Sequence, residues 1–442
     1  MNALFAGVCL LASTCGGTPS ASSIFPYQYV KHTLPNGLRV ILIPLDSPGL
    51  VSYFSIVRTG SRDEVEPGKS GFAHFFEHMM FRGTKRYPQN AYNQIVTRIG
   101  ARANAYTTDD YTAYHLTFAK DDLETVIDIE SDRFQHLDYG LRAFQTEAGA
   151  VYGEYRKTVT QPFALLDEKL HDVAYDVHTY KHTTMGFEAD IKAMPEAYQY
   201  SLSFFHRYYR PENVVLLITG DIDPKATLAL VARYYGSWQK GYAAPQVPLE
   251  PMHTKPRFAE VAYPGKTLPL LVIAYQGEAF TASQREYAAA MLLGELAFSE
   301  SSDIYRKLVI REQKVQLIGA NIPKNRNMPL FEIVAMVKKP EDIDYVRDQV
   351  YQTLEDFQNK PVDEKKLDDI KRRSKYAFLM ELDSPERVAD SLARFVALSG
   401  GIEVVDQFYA ECDKVTPPDI VEAARKFFVP ARRTVVVLKG AL

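Results

Sequence analysis

Two histidines and a glutamate lie close together early in the chain, in the segment His74-Phe75-Phe76-Glu77-His78. On a helix, residues four apart face the same way, so His74 and His78 can both reach one metal ion. Glu77 lies beside them, where its carboxylate can accept a proton from metal-bound water. A catalytic zinc site uses three protein ligands and an open position for water, whose pKa the metal lowers. The segment therefore predicts part of a hydrolytic metal site.

Glu147 and Glu154 are the candidates for the third ligand. If the stretch is helical, their spacing of seven residues corresponds to two turns, which places both on one face. Either carboxylate could bind the metal, and the other could then hydrogen-bond a ligand histidine and fix its orientation. The spacing of the two glutamates leaves this choice open. The histidine pair, His74 and His78, could also be only structural. Three later histidines lack such spacing and are expected on a solvated helix and loop: His171, His178 and His182.

Several short segments around these residues resemble those of one peptidase family. This is the pitrilysin/insulinase family of zinc peptidases, whose inverted HxxEH motif has the residue order found here. The resemblance extends from about Tyr27 to Leu442, and the chain length resembles that of the short bacterial and mitochondrial processing peptidase-like members. The segments that carry it are residues 35–38, 60–64, 71–84 and 104–107, together with Gly100, Glu147 and Glu154.

The resemblance implies a role for each candidate residue. It makes His74, His78 and Glu154 the ligands of a Zn²⁺ ion. It makes Glu77 the general base and places Glu147 beside a ligand as its supporting acid. It also implies an edge strand that pairs with the backbone of an extended peptide substrate, which is a generic mode of recognition. That strand comprises Asn104, Ala105, Tyr106 and Thr107.

The match to the family is incomplete in the second half of the chain. Members use an arginine and a tyrosine there to hold substrate and stabilise the oxyanion. Arg311 matches the arginine, but Leu317 or Ile318 stands where the tyrosine is expected. An alkyl side chain cannot donate the hydrogen bond that a phenol gives to developing negative charge. We therefore expect a homo- or heterodimer, in which this chain is half of a clamshell and a related subunit supplies the Arg/Tyr pair.

The elements that position these residues are organised as two similar halves. Near Pro211 and again near Pro430, a helix ending in aromatic residues leads through a turn into an apolar, β-branched run. The two prolines are 219 residues apart, about half of the chain, which indicates a duplication. A proline-rich stretch, residues 239–255, predicts a stiff linker between the halves. The helix that corresponds to the motif in the second half, residues 283–296, is rich in Ala and Leu and lacks metal ligands.

Sequence periodicity predicts the fold class. Apolar or alternating runs at residues 38–43, 51–57 and 111–118 predict strands, and helical spacing over 121–138 predicts a helix. Because each half mixes strands with long helices, we expect an α+β protein of two homologous α/β-sandwich domains, with helices packed on mostly antiparallel sheets. The predicted divisions are a signal peptide at 1–23, a zinc-binding peptidase domain at 24–238, the linker at 239–255 and a homologous domain without a metal motif at 256–442.

Composition and charge exclude several classes of protein. The 442 residues are 46% hydrophobic and 24% charged, which is typical of a folded globular chain. The formal net charge of −4 provides no basic surplus for nucleic acid. The apolar run at residues 3–12 has signal-peptide length, and no later run approaches the roughly 20 apolar residues of a membrane span. We therefore expect a periplasmic protein, with a cytoplasmic one as the alternative, that binds neither nucleic acid nor membrane.

These observations predict a zinc metalloendopeptidase that hydrolyses peptides or unfolded protein segments. One alternative is a non-catalytic assembly or scaffold subunit of the same fold. The complete set of His74, Glu77, His78 and Glu154 argues against that alternative. A second alternative is a peptide-binding or chaperone-like module whose zinc is only structural.

Overall fold

The computed structural model describes residues 15–17 and 23–441. The rest of the predicted signal peptide, residues 1–14 and 18–22, lies outside the described residues. Among the residues that are described, no helix combines the length and apolarity needed to cross a bilayer.

The first half of the chain forms a seven-stranded sheet with helices on one face. The strands are β1 (Cys15–Gly17), β2 (Tyr29–Thr33), β3 (Arg39–Pro44), β4 (Leu50–Val57), β5 (Arg102–Thr107), β6 (Thr112–Ala119) and β7 (Val214–Gly220). The helices are α1 (Phe72–Met79), α2 (Gln89–Arg98), α3 (Leu123–His136), α4 (Leu141–Thr158), α5 (Pro162–Ala174), α6 (Glu188–Ala193), α7 (Tyr198–Tyr208) and α8 (Pro224–Tyr235). The strand order is β1-β2-β3-β7-β4-β6-β5.

The second half forms a five-stranded sheet. The strands are β8 (Arg257–Tyr263), β9 (Leu270–Gln276), β10 (Val315–Asn321), β11 (Leu330–Val337) and β12 (Arg433–Gly440). The helices are α9 (Arg285–Phe298), α10 (Asp303–Tyr305), α11 (Ile343–Asn359), α12 (Glu364–Met380), α13 (Pro385–Ser399), α14 (Glu403–Lys414) and α15 (Pro417–Phe427). The strand order is β10-β11-β9-β12-β8.

The two sheets have the same topology. The order β3-β7-β4-β6-β5 in the first sheet corresponds to β8-β12-β9-β11-β10 in the second. In each sheet one pair is parallel, β3 with β7 and β8 with β12, and the other pairs within these five strands are antiparallel. This arrangement confirms the predicted α+β class and the two homologous, mostly antiparallel units.

The two apolar runs that indicated a duplication are central strands of their sheets. Strand β7 lies between β3 and β4, and all of its residues are buried. Strand β12 takes the equivalent place between β8 and β9, and its residues Thr434 to Val436 are buried. A central strand that is covered on both faces tolerates few polar side chains, which explains the continuous apolar runs.

Each half contributes a helix to the core of the other. Helix α5 of the first half packs on β8, β9 and β12 of the second, where Leu166 and Leu170 join a cluster with Val272. Helix α13 of the second half packs on β4 and β7 of the first, where Leu392 lies in one cluster with Phe54. This exchange buries the second face of both sheets, so the halves form one packed unit.

Candidate metal centre

Helix α1 is held in place by its buried apolar face and by the glycine turn that precedes it. Phe72, Phe75, Phe76 and Met79 are buried in the core of the first half. The helix begins at Gly71, which has a φ of 89° and lies so close to Met185 that a Cβ would come within 2.6 Å of its carbonyl oxygen. A glycine is therefore required at this turn.

A buried carboxylate holds the beginning of the same helix. Glu64 accepts hydrogen bonds from the backbone N–H groups of Gly71 and Ala73, at 2.7 and 2.6 Å. These N–H groups at the start of the helix would otherwise lack partners. Glu64 thus fixes the start of the helix that carries the candidate metal residues.

His74, His78 and Glu154 come together between α1 and α4. The Nε2 atom of His78 lies 3.2 Å from Oε2 of Glu154, and the Nε2 atom of His74 lies 3.8 Å from the same oxygen. One ligand atom from each residue lies within 4.8 Å of the other two. Two imidazole nitrogens and one carboxylate oxygen are a donor set that zinc uses in catalytic sites, so the group could hold that ion.

Protonation favours the same use of His74. Burial, and then the neighbouring His78, lower the pKa of His74 to about 4, so its ring is neutral at pH 7. Only a neutral imidazole nitrogen has the free lone pair that a metal needs.

Glu147 hydrogen-bonds the far side of one candidate ligand. Its Oε1 atom lies 3.0 Å from Nδ1 of His78, which leaves Nε2 of that ring directed at Glu154. Arg82 pairs with the other oxygen of Glu147. Burial acts to raise the pKa of Glu147, but the hydrogen bonds from His78 and Arg82 outweigh it and lower the pKa. The carboxylate is therefore charged, and it can orient the imidazole as such partners do in metal sites.

Glu77 is held by the strand next to its helix. The hydroxyl of Thr107, at the end of β5, donates to Oε2 of Glu77 at 2.7 Å. Burial raises the pKa of Glu77, and the hydrogen bond from Thr107 opposes that shift. A carboxylate with a raised pKa is a better proton acceptor near neutral pH.

Strand β5 is the last strand of its sheet, with β6 as its partner on one side. Asn104 and Ala105 line a cavity of about 270 Å³ together with Glu77 and His78. The outer edge of the strand thus opens beside the candidate metal group, and no other strand of the sheet pairs with it there.

Two of the four residues expected to contact substrate point elsewhere with their side chains. The hydroxyl of Tyr106 donates to Asp390 of α13 at 2.9 Å, on the face of the sheet that the second half covers. Thr107 uses its hydroxyl on Glu77. Because successive strand residues face opposite ways, only the backbone of Tyr106 is available at the edge.

Arg311 ends a short π-helical turn just before β10 in the second half and is exposed. Its side chain makes no hydrogen bond or ion pair with the described part of the chain. Leu317 and Ile318 lie on β10 itself. The structure brings neither Arg311 nor a tyrosine of this segment to the group formed by His74, His78 and Glu154.

A second group of possible ligands has a different character. Asp176, Glu250 and His253 also bring ligand atoms within 4.8 Å of one another. However, Glu250 accepts three backbone N–H groups at 2.7, 2.9 and 2.9 Å, and Asp176 forms two hydrogen bonds with Arg257. Both carboxylates therefore already have partners. The hydrogen bonds of Glu250 hold residues 239–255 against the segment that follows α5.

The prediction that three later histidines are solvated was wrong. His178 and His182 are buried, and the His171 side chain is only 14% exposed. His178 accepts the backbone N–H of Tyr180, and Tyr180 packs in a cluster with Leu270 of the second half. The segment after α5 is covered because that helix crosses to the other sheet, which a sequence pattern does not reveal.

Glu64 and Arg82 lie in segments that carry the family resemblance, but the sequence predicts no role for either, nor the contact between Thr107 and Glu77. Arg82 lies four residues after His78, which is a detectable spacing for a residue near the motif. Glu64 lies seven residues before Gly71 with a loop between them, so no periodicity connects the two. The contact of Thr107 depends on the packing of β5 against α1, which is a long-range feature.

Comparison with known proteins gives the same result for both halves of the chain. Residues 46–188 match the sequence model for insulinase (peptidase family M16), and residues 198–374 match that for the peptidase M16 inactive domain. A zinc protease, PqqE, of Helicobacter pylori is 26% identical over 439 residues, which is 97% of each chain. The mitochondrial-processing peptidase subunit beta of Caenorhabditis elegans is 24% identical and covers 94% of this chain and 91% of its own.

Solved structures have the same fold. A protease from Helicobacter pylori superposes with a TM-score of 0.87 at 25% identity and covers 93% of this chain and 99% of its own. The periplasmic protease PqqL from Escherichia coli superposes with a TM-score of 0.77 at 19% identity, and the match covers 93% of this chain but only 47% of PqqL. With matches that extend over both halves and this shared fold, the chain belongs to peptidase family M16, the insulinase family.

Proposed function

We propose that the protein is a zinc metalloendopeptidase that hydrolyses peptides or unfolded protein segments. The observation that carries the proposal is the convergence of His74, His78 and Glu154 beside Glu77, at the open edge of β5. Zinc protease and processing peptidase relatives support the same activity. In this proposal His74, His78 and Glu154 hold Zn²⁺, and Glu147 orients His78.

The chain's own residues then perform three tasks. Zinc bound there would supply Lewis-acid chemistry and a water of lowered pKa. Glu77 accepts the proton of the attacking water and delivers it to the leaving amine, while Thr107 keeps its carboxylate in place. The backbone of residues 104–107 pairs with the substrate as an added strand, which selects extended peptides with little regard to sequence.

We propose further that a second subunit completes the site. Arg311 is the only member of the family's Arg/Tyr pair that this sequence supplies, and it lies in the half without a metal motif. The match to PqqL supports the pairing of two such subunits, because this chain matches about half of the length of that protein. We also propose that the chain acts in the periplasm, which its apolar N-terminal run favours.

One observation favours a second candidate, a non-catalytic subunit of the same fold. The match of residues 198–374 is to a domain described as inactive. That description fits the second half, but it leaves the residues on α1 and α4 without a role. The two candidates differ in whether the chain, alone or with a partner, breaks a peptide bond.

A cleavage assay with an internally quenched peptide tests the proposal. We expect cleavage that stops on treatment with a zinc chelator and returns with added Zn²⁺, with the chain alone or with the subunit that copurifies. Persistent cleavage in chelator would contradict a zinc peptidase. Zinc binding without cleavage in either preparation would favour the non-catalytic subunit.

A further inference from the structure

A cavity of about 970 Å³ lies between the two halves. One wall is the face of β5 and β6 that carries Tyr106 and His115, and the opposite wall comes from α12 and α13. Residues on both sides of Tyr106 face α1, so this cavity lies on the other face of the sheet from the candidate metal group. Its volume is at the upper end of the range for small-molecule sites.

Three positive side chains line this cavity without a carboxylate partner. Lys324, Arg373 and Arg394 form no ion pair with any residue that the structure describes, whereas Arg387 pairs with Asp383 at 3.3 Å. Arg394 donates a hydrogen bond to the backbone oxygen of Lys324 at 2.9 Å, so two of these cations are neighbours. Like charges held together in a partly buried place raise the energy of both.

Three of the four acidic side chains that line the cavity already have a hydrogen-bond or ion-pair partner. Glu386 pairs with Arg102 at 2.6 Å, and Asp390 accepts the hydroxyl of Tyr106 at 2.9 Å. Glu381 accepts a hydrogen bond from a serine hydroxyl at 3.4 Å. Glu295 also lines the cavity, but it is exposed.

Lys324 is in an unusual environment for an ammonium group. Its Nζ lies 4.9 Å from the ring centre of Phe408 and 5.4 Å from that of Phe395. Burial, and then the charge of Arg394, lower the pKa of Lys324 to about 8. Cation–π contacts offset only part of the cost of burying an ammonium, so a bound anion would stabilise this arrangement.

The remaining lining is largely aromatic. Phe54, Tyr111, Phe378 and Phe395 all border the cavity, and Arg394 lies 5.8 Å from the ring centre of Tyr111. A ligand that uses the whole cavity therefore needs an apolar body as well as a negative group.

We propose that the cavity binds a small organic carboxylate, with its anionic group between Lys324 and Arg394 and its apolar body against Phe395. This site is separate from the candidate metal group and does not depend on the proposed peptidase activity.

The test uses two probes of nearly equal size, N-acetylphenylalanine and its uncharged amide, with the full chain and isothermal titration calorimetry. We expect the carboxylate to bind at least tenfold more tightly than the amide. Lys324→Met keeps the length of the side chain but removes the charge, and we expect it to weaken carboxylate binding at least tenfold. Lys366→Met is the matched control on α12, because its side chain is 64% exposed outside this cavity, and it should bind like the unchanged chain.

A second readout does not depend on the fold of the variant. Acetic anhydride should label Lys324 in the unchanged chain, and the carboxylate should protect that amine but not Lys366 when peptides are quantified by mass spectrometry. Equal binding of the two probes, unaltered affinity in Lys324→Met, or no selective protection would each overturn the proposal. Inorganic phosphate that binds as tightly as the carboxylate would also overturn it, because the apolar body would then contribute nothing.

Discussion

The two halves of the chain share one strand order, but the helices that follow β4 and β9, α1 and α9, differ in composition. Helix α1 buries five apolar side chains in the core of the first half and directs His74, Glu77 and His78 toward the candidate metal group. Helix α9 is buried on nearly all sides, with Ala288, Ala289 and Ala290 in its core-facing stretch. Each sheet also has an edge strand in the equivalent place, β5 in the first and β10 in the second. The fold therefore provides a helix beside a strand edge twice, and polar residues on one helix provide the chemistry once.

The largest predicted effect on peptide cleavage comes from replacing the carboxylate on α1. We expect Glu77→Gln to lower peptide cleavage about 10²- to 10⁴-fold, the usual contribution of a general acid or base, with bound zinc unchanged. Metal analysis and cleavage rates measure the two quantities. Glu286→Gln, an exposed position on α9, is the control in the other half and should change neither. Full activity in Glu77→Gln would remove this residue from the role of base.

The next effect tests whether the halves depend on each other for stability. We expect Leu166→Ala on α5 to destabilise the chain by about 2–5 kcal/mol, because it leaves a cavity in a cluster shared with the second sheet. Urea unfolding should show one transition for both halves. Two separate transitions, with only one of them shifted, would show that the helix exchange does not couple the halves.

A smaller effect concerns the acid behind the ligand histidine. We expect Glu147→Gln to weaken zinc affinity about 10- to 100-fold, since the charged hydrogen bond to His78 is lost while the shape of the side chain is kept. Competition with a chromophoric chelator measures the affinity. An unchanged affinity would show that the orientation of His78 is set by packing alone.

The smallest effect concerns the contact between the edge strand and the base. We expect Thr107→Val to lower the cleavage rate about tenfold, because the loss of a hydrogen bond to a charged group costs about 1.5–3 kcal/mol, part of which is recovered by water. Zinc content should stay constant, and Thr107→Ser should restore the rate. If serine and valine variants behaved alike, the hydroxyl would have no part in positioning Glu77.

The sequence predicted local features well and long-range packing poorly. The runs that became β7 and β12 were recognisable because a central strand must be apolar on both faces, and the spacing of His74 and His78 needs only one helical turn. Three features join residues that are far apart in the chain. They are the exchange of α5 and α13 between the halves, the contact of Thr107 with Glu77, and the hydrogen bonds of Glu250 to the segment after α5. No periodicity records such contacts, which is why the sequence predicts solvent exposure for His178 and His182, which are buried, and for His171, which is mostly covered.

The most direct test of the central claim is the number of zinc ions bound per chain, measured by equilibrium dialysis and elemental analysis. We predict one zinc per unchanged chain and none in His74→Ala, because the only open group of ligands among the described residues is on α1 and α4. His253→Ala should keep one, since the carboxylates of its group are already engaged. Zinc retained at full stoichiometry in His74→Ala, or lost in His253→Ala, would contradict the account.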